Sequence, residues 1–151
     1  MTDAASLPLI IGIGNTIMGD DGAGPEVIAL LEKTPGLRAE LLVLDTPGFA
    51  LLTYIQNRDR VIIIDAAEFD APPGTVVKIS SNDVHRKKGA SISLHDADPF
   101  AVVDYAAKMG LAPKELVVYA IRFESIEPRL TLSPVMSVAV RKAADMIVKE
   151  L

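Results

Sequence analysis

The spacing of short, mainly apolar runs along this chain limits the folds open to it more than any other feature. Continuous runs of this kind are typical of strands that are buried on both faces of a parallel sheet. The runs are Leu9–Ile13, Leu41–Leu44, Val61–Ile64, Thr75–Ile79 and Leu116–Ile121. We predict a β-strand at each of them. Only a short link precedes the fourth, which favours an antiparallel strand at the edge of the sheet.

Helical patterns separate most of these runs. They extend over Pro25–Lys33, Leu51–Ile55, Asp98–Ala107 and Ser133–Leu151. Asp98 and Ser133 each stand before a proline, and an N-cap residue followed by proline marks a helix start. The alternation predicts an α/β fold with a mainly parallel, twisted five-stranded sheet that includes one antiparallel strand. With 151 residues, we expect a single domain over residues 1–151.

Composition narrows the possible partners. The formal net charge is −5, and Lys and Arg gather only in the short run Arg86–Lys88, so we expect no nucleic-acid binding. The chain has no cysteine, which excludes disulfides, thiolate metal sites and a cysteine nucleophile. No apolar run approaches the length of a membrane span, and the first residues lack the basic start of a signal peptide. We therefore expect a cytoplasmic protein that is not bound to a membrane.

A glycine-rich segment, Gly12–Gly24, follows the first predicted strand and leads into the first predicted helix. A dinucleotide-binding turn would need glycine where this chain has Ile17, and acidic residues at a helix start repel a pyrophosphate. The segment instead places Asp20 and Asp21 near the positive end of a helix dipole. Either aspartate could be a helix cap or a catalytic group, and we assign Asp20 to the helix start.

A second acid and a histidine are expected near Asp21. Asp65 ends the third predicted strand, which neighbours the first in a doubly wound sheet, and ligands bind beyond the carboxyl ends of such strands. His95 follows a polar segment, Ser80–Leu94, that we predict to be an exposed loop. Two carboxylates and an imidazole suit a divalent ion such as nickel or zinc, with positions left for substrate or water. Asp21, Asp65 and His95 are therefore the candidate site.

Other chemistries have less support in the sequence. The motifs HExxH and GxSxG are absent, so neither a zinc-protease helix nor a serine nucleophile elbow is indicated. His85 lies beside the basic run and is interpreted as part of a solvated face. Asp45 and Glu68 are second-rank candidates, because acidic residues near strand ends commonly cap turns.

Three segments together resemble the hydrogenase maturation endopeptidases. They are Gly12-x-Gly14-Asn15-x4-Asp20-Asp21-Gly22-x-Gly24, Val61-Ile-Ile-Ile-Asp65-Ala66 and Ser93-Leu-His95-Asp-x-Asp98. Their order and spacing match the family, and Leu132-Ser133-Pro134 extends the likeness over nearly the whole chain. The resemblance implies a three-layer αβα sandwich in which Asp21, Asp65 and His95 contact nickel.

The resemblance also implies an activity. Enzymes of this family remove a C-terminal extension from the large-subunit precursor of a nickel-iron hydrogenase once nickel is inserted. The expected partner is therefore that precursor, and the nickel arrives with it; we expect a monomer without a tightly bound cofactor of its own. One departure is the turn Asp45-Thr46-Pro47-Gly48, which is shorter than the Asp-Gly-Gly-Thr-x-Gly turn common in the family and bears on substrate choice.

The residues leave the mechanism and two alternative functions open. Nickel could polarise the scissile carbonyl or acidify a water beside a carboxylate base, or two carboxylates could share a proton in an aspartic mechanism. A nickel-dependent chaperone would bind the precursor with the same residues and leave it uncut. A nucleotide-binding enzyme would use the turn at Gly12, with Asp45 holding a ribose.

Overall fold

Six strands form the sheet at the centre of the computed structural model, which describes residues 7–80, 92–94 and 99–151. The strands are β1 (Leu9–Ile13), β2 (Glu40–Leu44), β3 (Arg60–Glu68), β4 (Val76–Ser80), β5 (Ser93–Leu94) and β6 (Glu115–Arg122). Their order is β2-β1-β3-β6-β4, and β5 pairs with β3 outside this path. Strands β2, β1, β3 and β6 run parallel. β4 runs antiparallel to β6 at the edge, which confirms the predicted antiparallel strand.

Helices cover both faces of the sheet. They are α1 (Ala23–Glu32), α2 (Leu51–Ile55), α3 (Pro99–Lys108) and α4 (Pro134–Glu150). Successive strand residues point to opposite faces. Ile10 and Tyr119 therefore pack under α1 and α4 on one side, while Ile11 and Val118 pack under α2 and α3 on the other. The predicted α/β fold, with a layer of helices on each side of a mainly parallel sheet, is confirmed.

The helix starts agree with the predicted ones to within a turn. Ser133 has extended backbone dihedral angles and Pro134 opens α4, as the sequence predicts. α1 begins at Ala23 and not at Pro25, because a 3-10 helix, Gly19–Gly22, leads directly into it. α3 begins at Pro99, and Asp98 lies outside the described residues. None of the helices in the described ranges combines the length and apolar character needed to cross a bilayer.

β3 is longer than the predicted strand. It continues to Glu68 because Ala66 and Ala67 keep pairing with β6, and because Ala67 and Glu68 also pair with β5. Asp65 therefore lies within the strand, and the prediction that it ends the strand is wrong. β5 falls at the end of the segment predicted as a loop. Residues 81–91 of that segment, with His85 and the basic run, lie outside the described residues.

Candidate active site

Glycine residues allow the turn after β1 to pack closely against the sheet, because glycine has no Cβ atom. A Cβ atom on Gly12 would lie 2.4 Å from the carbonyl oxygen of Gly24, and one on Gly24 would lie 2.5 Å from that of Ile13. Gly14 has a φ of +150°, and a Cβ there would overlap the backbone of Asp21. The 3-10 helix and the start of α1 are thus held against the carboxyl end of β1 by contacts that only glycine permits.

The carboxylate of Asp20 is fully buried and is bound by the link between β6 and α4. Its Oδ2 accepts hydrogen bonds from the backbone amides of Glu124 and Ser125, both at 2.9 Å. Its Oδ1 accepts one from the amide of Ser133 at 2.7 Å, and the Ser133 hydroxyl lies 2.9 Å from both oxygens. Arg129 adds a longer ion pair at 3.4 Å. These donors replace the water that burial removes from the carboxylate.

The same donors set the pKa of Asp20. Burial raises the pKa of this carboxyl, but the hydrogen bonds from Ser125, Ser133 and Glu124 outweigh burial and hold it below its ordinary value of 3.8. Its partners lie 104 to 113 residues further along the chain. The assignment of Asp20 to the start of α1 is therefore wrong, because the groups that bind this carboxylate belong to another part of the chain.

Asp21 is the neighbouring residue, yet its carboxylate has different surroundings. Asp21 is 2% exposed, and its Oδ2 accepts a hydrogen bond from the backbone amide of Asn15 at 3.0 Å. Asn15 follows the end of β1 by two residues. The carboxylate of Asp21 therefore lies at the carboxyl end of β1, at the edge where ligands bind in sheets of this type.

Asp65 lies at the same edge, on the neighbouring strand. It is fully buried, and it is the first residue of β3 beyond the pairing with β1, which ends where Gly12 stands opposite Ile64. Its side chain shares a face with Ile63, because side chains alternate along a strand. The 3-10 helix that carries Asp21 also contacts β3. The structure thus places Asp65 on β3 at the edge of the sheet that the 3-10 helix with Asp21 contacts.

His95 lies outside the described residues. β5 places Leu94, the residue before it, opposite Ala67, which is two positions along β3 from Asp65. Within the described ranges, no group of three or more acids or histidines is arranged to hold a metal ion. Two buried carboxylates at one edge nevertheless form a donor set that suits a divalent cation, whose charge would offset the cost of burying them. The three-residue site stays a prediction.

Three consecutive amides of the turn, which a phosphate site would need to be free, already have hydrogen-bond partners. The amides of Gly19, Asp20 and Asp21 donate to the carbonyl oxygens of Arg129, Ser125 and Met18 at 2.8, 3.2 and 3.3 Å. A phosphate cradle requires amides that point at the ligand. Asp45, the ribose ligand in the nucleotide-binding alternative, is exposed and accepts a hydrogen bond from the Thr46 hydroxyl at 3.4 Å. The geometry therefore disfavours that alternative.

A cleft of about 280 Å³ opens beside the 3-10 helix. Its walls include Thr16, Gly22 and Glu26 on one side and Leu130, Leu132 and Ser137 on the other. The cleft thus lies between the turn that carries Asp21 and the link between β6 and α4. Leu130 is 81% exposed, so an apolar side chain is presented to solvent at this opening.

Sequence reasoning missed the role of Ser133. The sequence indicates an N-cap, and Ser133 occupies the N-cap position of α4, but its hydroxyl makes no capping hydrogen bond to the helix. It is directed to Asp20, which lies 113 residues earlier. A serine before a proline indicates a helix start, but no local sequence pattern indicates that its hydroxyl binds a carboxylate from a distant segment.

The sequence is similar to one family of proteins over most of its length. A sequence model described as hydrogenase maturation protease matches residues 25–150. The hydrogenase expression/formation protein HoxM of Azotobacter vinelandii is 30% identical over 149 residues, which cover 91% of this chain and 72% of HoxM. Other hydrogenase expression/formation proteins are longer, and this chain spans 53% to 59% of several of them.

Two solved structures share the fold over nearly the whole chain. The hydrogenase maturating endopeptidase HybD from Escherichia coli gives a TM-score of 0.81 at 28% identity, covering 96% of this chain and 91% of HybD. The nickel-iron hydrogenase maturation protease HybD from Thermococcus kodakarensis gives a TM-score of 0.75 at 27% identity, covering 95% of this chain and 97% of that protein. Sequence and fold therefore indicate the same relatives.

Proposed function

This chain belongs to the hydrogenase maturation protease family, and we propose that it removes the C-terminal extension from the nickel-loaded large-subunit precursor of a nickel-iron hydrogenase. Family membership makes it a peptidase. The precursor, the nickel on that precursor and the position of the cut are the proposal. We propose further that it acts in the cytoplasm as a monomer, with Asp21, Asp65 and His95 as its active site.

The observation that carries this proposal is the burial of Asp21 and Asp65 at one edge of the sheet. Asp21 is 2% exposed and accepts a hydrogen bond from the Asn15 amide just after β1, while Asp65 is fully buried on β3 just beyond its pairing with β1. Burying two negative charges near one another is costly, and a divalent cation between them lowers that cost. Nickel delivered with the precursor is such a cation.

The nickel is part of the substrate and serves to fix the scissile bond in the site. Asp21, Asp65 and the imidazole of His95 hold the ion on the precursor, and positions remain on it for the adjacent carbonyl oxygen or a water. The ion either polarises that carbonyl or lowers the pKa of that water. A carboxylate of the site takes a proton from the attacking water, whose oxygen adds to the carbonyl carbon, and the leaving amine receives the proton.

This arrangement also explains why the enzyme would cut only the nickel-loaded precursor. Without nickel, the two carboxylates have no cation to share with the precursor, and the scissile bond is not fixed beside them. We expect the nickel-loaded precursor to lose its C-terminal extension on incubation with the purified chain. The nickel-free precursor should keep its full mass.

Mass spectrometry of each large-subunit precursor from the same organism, incubated with and without nickel, tests the proposal. Cleavage that is equally fast without nickel would contradict the role of the ion. A nickel-loaded precursor that binds the chain but keeps its full mass would favour the nickel-dependent chaperone over the protease.

A further inference from the structure

We propose that Asp20 is a positioning residue, which holds the 3-10 helix Gly19–Gly22 against the link between β6 and α4 and so fixes the carboxylate of Asp21. The inference rests on the role of Asp21 in the proposed function. It assigns different tasks to two adjacent aspartates: Asp21 contacts the substrate, and Asp20 acts through Asp21.

The direction of the donors supports this role. The amides of Glu124, Ser125 and Ser133 point at the two carboxylate oxygens from 2.7 to 2.9 Å. These amides come from both ends of the link between β6 and α4. A single carboxylate therefore binds the start and the end of that link. Such a carboxylate cannot move without breaking several charge-assisted hydrogen bonds, which are the strongest kind.

The hydroxyl of Ser133 contacts Asp20 instead of capping α4. A serine at the N-cap normally accepts a hydrogen bond from an amide in the first turn of its helix. Here the hydroxyl of Ser133 makes no such bond and lies 2.9 Å from both oxygens of Asp20. The start of α4 is thus tied to the turn after β1 and not only to its own first turn.

Backbone hydrogen bonds make the attachment rigid. Around Asp20, the amide of Gly19 donates to the carbonyl of Arg129 at 2.8 Å, and the amide of Arg129 donates to the carbonyl of Ile17 at 3.1 Å. The turn and the link therefore form a short ladder on one side of Asp20. Asp21 is bonded covalently to Asp20 and its carboxylate accepts the Asn15 amide, so a displaced Asp20 would displace both.

Asparagine cannot replace Asp20 in this setting. The backbone amides and the Arg129 guanidinium around the carboxylate can only donate, and an asparagine side chain has one accepting oxygen and one donating NH₂ group. In Asp20→Asn, the NH₂ group would face donors at Oδ1 or at Oδ2. The 3-10 helix must then shift, and a shift of about 1 Å in a catalytic group can cost on the order of a hundredfold in rate.

Cleavage kinetics of the Asp20→Asn variant on the nickel-loaded precursor give the first test. At a temperature where circular dichroism shows the variant fully folded, we expect kcat to fall about tenfold to a hundredfold, with a smaller change in KM. Ser133→Ala, which removes one donor and leaves the backbone amides, should give an intermediate loss. Ser133→Thr keeps the hydroxyl and should restore kcat, and Asp145→Asn on the exposed face of α4 is the matched control.

Hydrogen exchange gives a second test that does not depend on cleavage. The amide of Asn15 reports the position of Asp21, because it donates to that carboxylate. We expect Asp20→Asn to speed its exchange by a larger factor than that of the Ile63 amide in the centre of β3, which follows global unfolding. Equal factors for the two amides, or an unchanged kcat in the folded variant, would overturn the inference. Failure of the wild-type chain to cut the precursor would contradict the proposed function and leave the exchange comparison valid.

Discussion

Asp20 and Asp21 are chemically identical neighbours, and the fold gives their carboxylates different hydrogen-bond partners. The carboxylate of Asp20 is enclosed by donors from the link between β6 and α4. That of Asp21 lies at the end of β1, beside the strand that carries Asp65. The proposed division of roles therefore rests on the hydrogen-bond donors around each carboxylate and not on the position of either residue next to a helix.

Loss of any candidate active-site residue should abolish cleavage while the fold persists. For Asp21→Asn and Asp65→Asn, we expect a rate at least ~10²-fold lower, because the variant loses a group that holds the ion or the proton. The same loss is expected for His95→Ala. Cleavage of nickel-loaded precursor, followed by mass spectrometry, measures the rate, and circular dichroism checks the fold. A variant that cuts at nearly the wild-type rate removes its residue from the site.

Stability should fall more when Asp20 is replaced than when the exposed Asp145 is replaced. Asp20→Asn leaves donors without an acceptor in a buried site, so we expect the free energy of unfolding to fall by about 2–4 kcal/mol. Asp145→Asn, on an exposed face, should change it by about 0.5 kcal/mol or less. Urea denaturation of the two variants beside the wild type measures this difference. Equal midpoints would show that the Asp20 network adds little to stability.

At the scale of secondary-structure elements, the position of α1 depends on its contact with the sheet. Gly24 is the second residue of α1, and a Cβ there would lie 2.5 Å from a carbonyl oxygen of β1 and 2.7 Å from one of β3. Backbone atoms cannot move aside as a flexible side chain can. The close approach of α1 to the two strands therefore requires glycine. The 3-10 helix that carries Asp21 leads directly into α1, so its position depends on that of α1.

Gly24→Ala should be costly for this reason. We expect it to lower the free energy of unfolding by about 3 kcal/mol, the upper part of the range for overpacked sites. Gly36→Ala is the matched control, because nothing lies within 4 Å of a Cβ there and only its φ of +76° opposes alanine. That strain costs about 1 kcal/mol. Thermal or urea unfolding measures both changes. A smaller loss of unfolding free energy in Gly24→Ala than in Gly36→Ala would contradict the prediction.

The end of α4 is fixed to the sheet by one carboxylate. Glu150 accepts hydrogen bonds from the Tyr119 hydroxyl and the Lys78 ammonium, both at 2.5 Å, and pairs with Arg60 at 2.8 Å. Burial raises the pKa of Glu150, but Lys78, Tyr119 and Arg60 outweigh burial and lower it below 4.5. Burial, the hydrogen bond to Glu150 and the negative charge of Glu150 raise the pKa of Tyr119 above 10.0, while Arg60 acts against them.

This cluster should make stability depend on pH. The pKa of Glu150 is lower in the folded chain than in the unfolded chain, so its contribution is present above about pH 4.5 and is lost as the pH falls. Glu150→Gln should reduce the free energy of unfolding by about 1–3 kcal/mol near pH 7 and by much less near pH 3. Exposed Glu32→Gln is the control. A difference that does not shrink on acidification would contradict the assignment.

Tyr119 should limit stability at the alkaline end. Its pKa is higher in the folded chain than in the unfolded chain, so its contribution is complete below pH 10.0 and is lost as the pH rises above that value.

At the scale of the whole molecule, two apolar clusters share one sheet. Strands β1, β3 and β6 contribute alternate residues to the cluster under α1 and α4 and to the cluster under α2 and α3. Loss of either helical layer exposes side chains on the same strands that support the other. In the described part of the chain, neither helical layer can therefore unfold without exposing one face of the sheet to water.

Unfolding should consequently be a single cooperative transition. The chain has three tyrosines and no tryptophan, with Tyr119 in one cluster and Tyr54 and Tyr105 on the helices of the opposite face. Tyrosine fluorescence thus reports both layers, and far-UV circular dichroism reports the backbone. We expect the two signals to change at the same urea concentration. Separate midpoints would show that the layers unfold independently.

The strands, the helices and the sheet class could be predicted because each depends on local patterns of apolar residues. Runs such as Val61–Ile64 read as buried strands, and Ser133-Pro134 reads as a helix start, since burial and helix geometry leave a signal within a few residues. The same reasoning placed Asp21 and Asp65 at one sheet edge, because the order of parallel strands follows from their alternation with helices. His95 lies outside the described residues, and its part in the site stays a prediction.

Only the tertiary structure decided what each buried polar group is bonded to. The extension of β3 to Glu68 needed β6 and β5 beside it, and the task of Asp20 needed donors from a link more than a hundred residues away. Apolar burial is non-directional and is encoded wherever apolar residues recur. A hydrogen bond needs a partner at one distance and one angle, and that partner exists only after distant segments have packed together.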